Sequence, residues 1–309
     1  MKSMMRQELS VLIPVYNETC VGQVKRLLEL CQRIADSGRT FSFEIIVSDD
    51  CSTDRLATKP NDAIAHLPYC RYIVQSNNGG SASNRNRLAR ESRYEWLLYI
   101  DCDVDLASDQ FILNYLDAGD ADVIVGGLMV GGDANQLSSN LRYLYESNCQ
   151  EAHSAQRRRQ RPFQSFRSCN FMVRREVMLG CPFDERFQKS GYEDVLLGKQ
   201  LRAGQYTISH IDNPVTMTRF EQNPDYINKV EYSLQTLYRF RTDLRGYSRL
   251  LTAAEGIHLR VVRWTLAMLF RMLAPMVRRQ LCGKHPRLCL FQPYRLGYYL
   301  NYSLKHTEQ

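Results

Sequence analysis

The sequence predicts an α/β protein: a mostly parallel sheet flanked by helices, followed by a helical C-terminal extension. Short apolar runs alternate with stretches of helical periodicity through the first half. Three of those runs end in polar clusters, Tyr16-Asn17-Glu18, Asp49-Asp50 and Asp101-Cys102-Asp103, and parallel sheets bind ligands beyond the carboxyl ends of their strands. From Tyr226 onward the pattern turns helical, aromatic and basic.

Residues 9–15 form an apolar run containing Pro14 and closed by a polar turn, as for a buried strand. Val21, Val24, Leu27, Leu28, Cys31, Ile34 and Ala35 recur at helical spacing, and Gly38 ends that helix. Residues 43–47, 72–74, 96–100 and 122–126 read as further strands, and Gly79-Gly80 opens a polar helix through Ala89. Residues 136–165 read as a helix followed by a basic loop, Arg157 to Pro162, and residues 171–211 mix strand and helix. The division expected is a catalytic domain over 1–220 and a helical, basic extension over 221–309.

Composition narrows the function. At 309 residues, 44% hydrophobic and 24% charged, the chain is ordinary globular protein and not a disordered one. No stretch of 18 apolar residues is free of charge, so no ordinary membrane-spanning helix is written. The net charge of +7 is uneven: residues 241–309 hold 12 Lys or Arg against 3 Asp or Glu, whereas the first 240 hold 28 against 30. A near-neutral body argues against a nucleic-acid partner, and a basic tail suits an anionic surface such as phospholipid headgroups. Arg supplies 32 of the 40 basic residues, and its planar fork suits phosphate and carboxylate. The 10 cysteines show neither a CxxC pair nor zinc spacing, and residues 1–8 lack the apolar core of a secretory leader. Reduced thiols and a cytoplasmic location are expected.

Four clusters carry candidate chemistry. Asp101 and Asp103 at a strand end can share Mg²⁺ or Mn²⁺ through oxygen ligands, or simply line a solvated turn. Asp49 and Asp50, with Ser52, Thr53 and Asp54, can accept from a base or a ribose hydroxyl, or form a side-chain-capped turn. The Gly79-Gly80 turn can present backbone N–H groups to an anion, although it lacks the Gly-Lys-Ser/Thr ending of a P-loop. Glu193-Asp194 opens an apolar-periodic helix, where acids act either as dipole partners or as a general base.

In order and spacing over residues 9–215, these segments resemble the family 2 inverting glycosyltransferases of the GT-A fold. The matching stretches are Ser10-Val11-Leu12-Ile13-Pro14-Val15-Tyr16-Asn17-Glu18, the run from Glu44 to Asp54, Asn78-x-Gly80 with Asn84-Arg85-Asn86, Asp101-x-Asp103, the run from Phe183 to Phe187, and Gly191-Tyr192-Glu193-Asp194. The resemblance implies a nucleotide-sugar donor bordered by Pro14, Tyr16 and Glu18. Asp49 or Asp50 would bond the uracil of a UDP-sugar, and Asn78 and Arg85 would lie near the donor. Asp101 would approach the ribose or sugar, and Asp103, with Asp101, would hold Mn²⁺ or Mg²⁺ on the diphosphate. Asp194 would be the catalytic base, with Glu193 beside the donor sugar or acceptor. The acceptor implied is a saccharide, a cell-surface glycan or a lipid-linked one.

Three departures stand out. Cys51 occupies a turn position where the family has Gly. Leu88 replaces a frequent second Gly. Residues 215–219 read Val-Thr-Met-Thr-Arg, without the His that serves many members as a further metal ligand; Arg219 stands there instead, and His210 upstream reads as a strand residue. The Gln-x-x-Arg-Trp sequence of polymerising members is also missing, which disfavours processive synthesis. Two other classes share the fold type. A sugar nucleotidyltransferase needs a Gly-rich phosphate loop right after the first strand, which residues 14–22 lack, and a non-catalytic scaffold binds nucleotide without turnover.

Residues 259–281 are apolar with Arg at intervals, and Arg260, Ala267, Arg271, Ala274 and Arg278 fall near one line at 100° per residue. Two surroundings fit such a helix: a membrane interface on the inner face of the membrane, or a packed position on the catalytic domain or across a homodimer. Pro275 is expected to kink it.

Overall fold

The computed structural model describes residues 6–188 and 191–307. Its ten strands are β1 Glu8–Val15, β2 Ser42–Asp49, β3 Cys70–Val74, β4 Trp96–Ile100, β5 Val104–Leu106, β6 Val123–Val125, β7 Leu128–Val130, β8 Asn170–Arg174, β9 Ile208–His210 and β10 Val215–Met217. Seven make one sheet in the order β3-β2-β1-β4-β8-β6-β9, and β5-β10-β7 make a second. The chain packs as two units, Met1–Met129 with Glu151–Thr218 and Val130–Gln150 with Arg219–Gln309.

In the first unit β1 is the axis. It pairs in parallel with β2 from Glu8↔Ser42 to Val15↔Asp49 and with β4 through Ser10↔Leu97. Val11, Leu12 and Ile13 have no exposed surface, nor do Ile45, Ile46 and Val47 of β2 or Leu97, Leu98 and Ile100 of β4. These unbroken apolar runs suit strands covered on both faces. Because the three strands are parallel, Val15, Asp49 and Ile100 all end on one edge, where the polar clusters begin.

The expected mostly parallel α/β sheet is present, with one strand of opposite sense in its middle. β8 runs antiparallel to both β4 and β6, placing Asn170 opposite Ile100. The backbone N–H of Asp101 donates to the Cys169 carbonyl at 3.0 Å. No crossover helix is needed for an antiparallel neighbour, so the strand–helix rhythm did not reveal it. The small second sheet, built of three-residue strands, is also too short to leave a periodic signature.

The stretch expected as one helix and a loop is several short helices: Ala134–Leu137, Leu141–Asn148, a 3-10 turn Gln150–His153, and Ala155–Gln160. Asn140 and Ser154 break it by capping, their side chains accepting from Tyr143 N and Arg157 N. The Arg-rich segment expected as a basic loop is therefore mostly helix, with Arg157, Arg159 and Arg161 exposed and Arg158 turned inward. Arg158 is 5% exposed. Its guanidinium donates to the carbonyls of His153, Val125, Gly126 and Ile211 at 2.8–3.0 Å and to His210 Nδ1 at 2.7 Å. Since Arg can only donate, His210 Nδ1 accepts, leaving Nε2 to donate to the Pro162 carbonyl at 2.9 Å. Burial pushes the His210 pKa down to about 4, so the ring is neutral, and both nitrogens are engaged within the fold.

The second unit is helical. Its core is Leu141, Tyr226, Ile227, Leu281, Phe291 and Tyr294, drawn from helices Leu141–Asn148, Asn223–Arg239, Arg260–Leu281 and Phe291–Thr307. Among the described residues no helix is long and apolar enough to cross a membrane.

Arg158→Met should destabilise the chain by roughly 2–4 kcal/mol, because the His153 and Ile211 carbonyls and the His210 ring nitrogen lose this donor while Val125 and Gly126 keep only their backbone partners. Arg157→Met, one residue away but exposed, should stay within about 0.5 kcal/mol of the native chain. Paired denaturant melts check this; equal effects would contradict the assignment of Arg158 as a staple.

Candidate active site

The first two strand ends are tied together by Asn17, which the sequence marks as part of a polar cluster without giving it a role. Its side-chain oxygen accepts from the backbone N–H groups of Thr53 and Asp54 at 2.8 and 2.9 Å, and its own N–H donates to Ser52 Oγ at 2.8 Å. Asn17 and Cys51 both adopt positive φ, 54° and 57°. The family's glycine preference at position 51 has its physical reason here, since the turn needs a left-handed residue and Cys supplies it under strain. Tyr16 is 47% exposed beside this turn, and Pro14 and Glu18 are half-buried.

Asp49 and Asp50 are buried and already bonded within the fold. Asp49 accepts from Ser52 N at 2.8 Å and from Tyr72 Oη at 2.7 Å. Asp50 accepts from Gly79 N and Gly80 N at 2.9 and 2.8 Å. The Gly-rich turn thus does present its N–H groups to an anion, and that anion is the Asp50 carboxylate. Burial raises the Asp50 pKa, partly offset by these two bonds. Asn78 Nδ2 donates to the Asp50 carbonyl at 3.0 Å.

The helix Gly80–Glu91 carries Arg85 to the end of β4. Arg85 is 5% exposed. Its Nη2 donates to Asp101 Oδ1 at 2.6 Å, and its Nη1 stands 3.8 Å from Glu193 Oε1. Burial lowers the Arg85 pKa, and the surrounding carboxylates of Asp101, Glu193 and Asp194 more than offset it. Acids separated by some ninety residues in sequence therefore meet around one guanidinium. Gln23, a residue the sequence did not flag, steadies the turn between β4 and β5. Its side-chain amide donates to the carbonyls of Asp101 and Val104, both at 2.9 Å.

Glu193 and Asp194 begin the helix Glu193–Ala203 and have different tasks. Glu193 is buried, with Oε1 accepting from Ser81 Oγ at 2.8 Å and Oε2 from Gly191 N at 2.6 Å. Asp194 is half-buried and its Oδ1 accepts from Val195 N at 2.8 Å. Burial, then the neighbouring Glu193 charge, lifts the Asp194 pKa to about 6, against the pull of Arg167 and Arg85. No local pattern marked Arg167 beforehand. Just before the pair, Gly191 and Tyr192 adopt φ of 136° and 71°. Strain in a non-glycine residue persists only where its surroundings enforce it. Gly80, itself at φ 84°, meets the chain just upstream: a Cβ there would lie 2.0 Å from the Gln188 carbonyl oxygen.

Asp101 and Asp103 place two carboxylates at the turn that follows β4. Among the described residues no group of three or more acids, cysteines or histidines could hold a metal by itself. Two carboxylates at a turn suit an ion that completes its shell with phosphate oxygens and water, as Mg²⁺ usually does. Desolvation raises the Asp101 pKa, the Arg85 charge opposes this, and Asp103 adds to it. A cation would relieve that repulsion, so the donor set fits a substrate-bridged ion.

Comparison with known proteins gives the family and the fold. The family model described as glycosyl transferase family 2 matches residues 10–179, and the chain belongs to that family. An uncharacterised glycosyltransferase of Haemophilus influenzae is 34% identical over 95 residues, 31% of this chain and 29% of that protein. The poly(ribitol-phosphate) β-N-acetylglucosaminyltransferase TarS of Staphylococcus aureus is 31% identical over 98 residues, 31% of this chain and 16% of TarS. The chain thus aligns with less than a third of the length of either relative. The mannosyltransferase PcManGT of Pyrobaculum calidifontis, solved with GDP-Man and Mn²⁺, superposes with a TM-score of 0.53 at 14% identity, covering 98% of this chain and 89% of that one. This likeness shows a shared GT-A fold.

Two substitutions should move stability in opposite directions. Cys51→Gly relieves the left-handed strain and should raise the melting midpoint by roughly 1–2 °C. Gly80→Ala adds a methyl against a backbone carbonyl and should cost about 2 kcal/mol or more. Thermal melts of the two variants check both signs; a stabilising Gly80→Ala would contradict the close approach.

Proposed function

We propose that residues 1–220 form a catalytic domain that transfers one sugar, with inversion, from a nucleotide diphosphate to an acceptor hydroxyl, and that the donor is a UDP-sugar. The observation that carries this reading is the division of labour between Glu193 and Asp194. Both Glu193 oxygens are occupied by Ser81 and Gly191, so Glu193 is a positioning residue. Asp194, with a pKa near 6, is a stronger base than an ordinary carboxylate yet still ionised at neutral pH, which is what removing a hydroxyl proton during attack requires.

The other residues follow by position. Tyr16 offers an exposed ring for the base, with Pro14 and Glu18 bordering it, and Asp49, Asp50 and Asn78 shape the nucleotide loop. With both acids committed internally, their part in uracil recognition is carried by the loop they hold as much as by their free lone pairs. Asp101 and Asp103 would hold Mn²⁺ or Mg²⁺ on the diphosphate. When bound, that ion supplies Lewis-acid neutralisation of the leaving group. Arg85, whose Nε and Nη1 lack hydrogen-bond partners, adds fixed positive charge on the donor side and keeps Asp101 oriented. Asp194, on the same side of the sheet, faces the incoming alcohol, and in-line displacement inverts the anomeric carbon. The acceptor is a saccharide, free at a glycan end or lipid-linked. The name of the staphylococcal relative puts N-acetylglucosamine first among the sugars to test.

The test is a panel of nucleotide sugars screened by thermal stabilisation and by Mn²⁺-dependent donor hydrolysis. A true donor at 100 times its Kd should stabilise the chain by about 2.7 kcal/mol. Asp194→Asn should keep donor binding and lose transfer by roughly 10²-fold or more. In the native chain kcat/KM should fall tenfold per pH unit below about 6, as Asp194 gains its proton. The same raised pKa means this carboxyl favours the fold most when protonated, a contribution lost as pH rises through about 6. Full transfer by Asp194→Asn, or a pH profile flat to 4.5, would overturn the base assignment.

A further inference from the structure

The helix Arg260–Leu281 of the second unit is turned inside out relative to an ordinary surface helix. Its packed side carries Ala267, Phe270, Ala274, Val277 and Leu281, with Ala267 3% exposed and Leu281 fully buried. Its outward side is apolar: Val261 is 75% exposed, Trp264 56%, Leu269 51%, Met272 76% and Met276 65%. At 100° per residue these fall, with Met268, in one arc about 140° wide, opposite the packed side. A contiguous apolar face of this kind marks a contact site.

Charge identifies what covers it. From residue 256 to residue 307 the chain has nine Lys or Arg and no Asp or Glu. Arg260 and Arg271 are exposed at one edge of the apolar arc, and Arg279 is exposed near its end. A second copy docking through this face would set cations against cations, with no acid of the segment to answer them. An anionic bilayer answers both features: acyl chains take the Trp, Leu and Met side chains, and headgroups take the guanidinium ends. The helix is not apolar enough to span, so it lies in the plane of the interface.

We propose that residues 260–281 dock the protein onto the surface of an anionic membrane through the Val261-Trp264-Leu269-Met272-Met276 face. This goes beyond the catalytic reading and stands or falls separately from it, because vesicle binding is read without any donor.

The experiment is vesicle flotation of the full chain with phosphatidylcholine alone and with phosphatidylcholine containing phosphatidylglycerol. The native protein should rise with the anionic vesicles and far less with the zwitterionic ones. The triple substitution Leu269→Gln, Met272→Gln and Met276→Gln touches only exposed side chains, so its melting curve should match the native one while its partition falls at least about tenfold. The pair Arg271→Gln and Arg279→Gln keeps the apolar face and should lose the preference for anionic lipid. Native protein left at the bottom of the gradient, or a triple variant floating as well as the native chain, would overturn the proposal. So would a native dimer that ignores vesicles and falls apart in the triple variant, since the face would then belong to a second copy.

Discussion

A buried guanidinium needs negative partners, and the partners available to Arg85 are Asp101 at the end of β4 and the acids at the start of the helix Glu193–Ala203. Burying this charge unpaired would cost several kcal/mol. The pairing therefore forces two remote parts of the chain to one place, and the rest of the site depends on it. Asp101 is aimed by it, Asp103 follows two residues later, and Asp194 feels its field. Arg85 Nε and Nη1 are buried without a hydrogen-bond partner, in keeping with the anionic donor proposed above.

The scaffold meets this constraint by stacking close approaches. Parallel β1, β2 and β4 bring their carboxyl ends to one edge. Asp50 then grips the Gly79-Gly80 turn, the bare Gly80 lets the Gln188 backbone come close, and Ser81 reaches Glu193. Cys51, in the turn after β2, and Tyr192, just before Glu193, are both left-handed. Such strain is held in place by the surrounding hydrogen bonds and belongs where geometry matters most. On the opposite flank Arg158 performs a structural version of the same service, trading its charge for carbonyl bonds that lock β6 and β9.

Much of this was legible beforehand, for reasons particular to each element. Apolar runs closed by acids announced β1, β2 and β4 because parallel strands are buried on both faces and bind at their ends. The family resemblance singled out Asp101, Asp103, Glu193 and Asp194, and the fold sets Asp101, Glu193 and Asp194 around Arg85. What stayed hidden was contact made at a distance. Asn17 and Gln23 look like ordinary loop and helix residues until their amides are seen bridging elements 35 and 78 positions away. Antiparallel β8 lacks a periodic herald. Arg158 sits in a run of like residues, and burial alone separates it from exposed Arg157. The helix Arg260–Leu281 was correctly bounded, but which of its faces met the protein could be learned only from packing.

The Asp194 pKa is set by burial and by the opposing charges of Glu193, Arg167 and, most weakly, Arg85. Carbon-13 NMR titration of the Asp194 carboxyl in the native chain and in Arg85→Gln measures it directly. The native midpoint should lie near 6, and removing the guanidinium should move it higher, because a stabilising positive charge is lost. A midpoint near 4 in the native chain, or one that moves lower in Arg85→Gln, would contradict a desolvated carboxyl held among these charges.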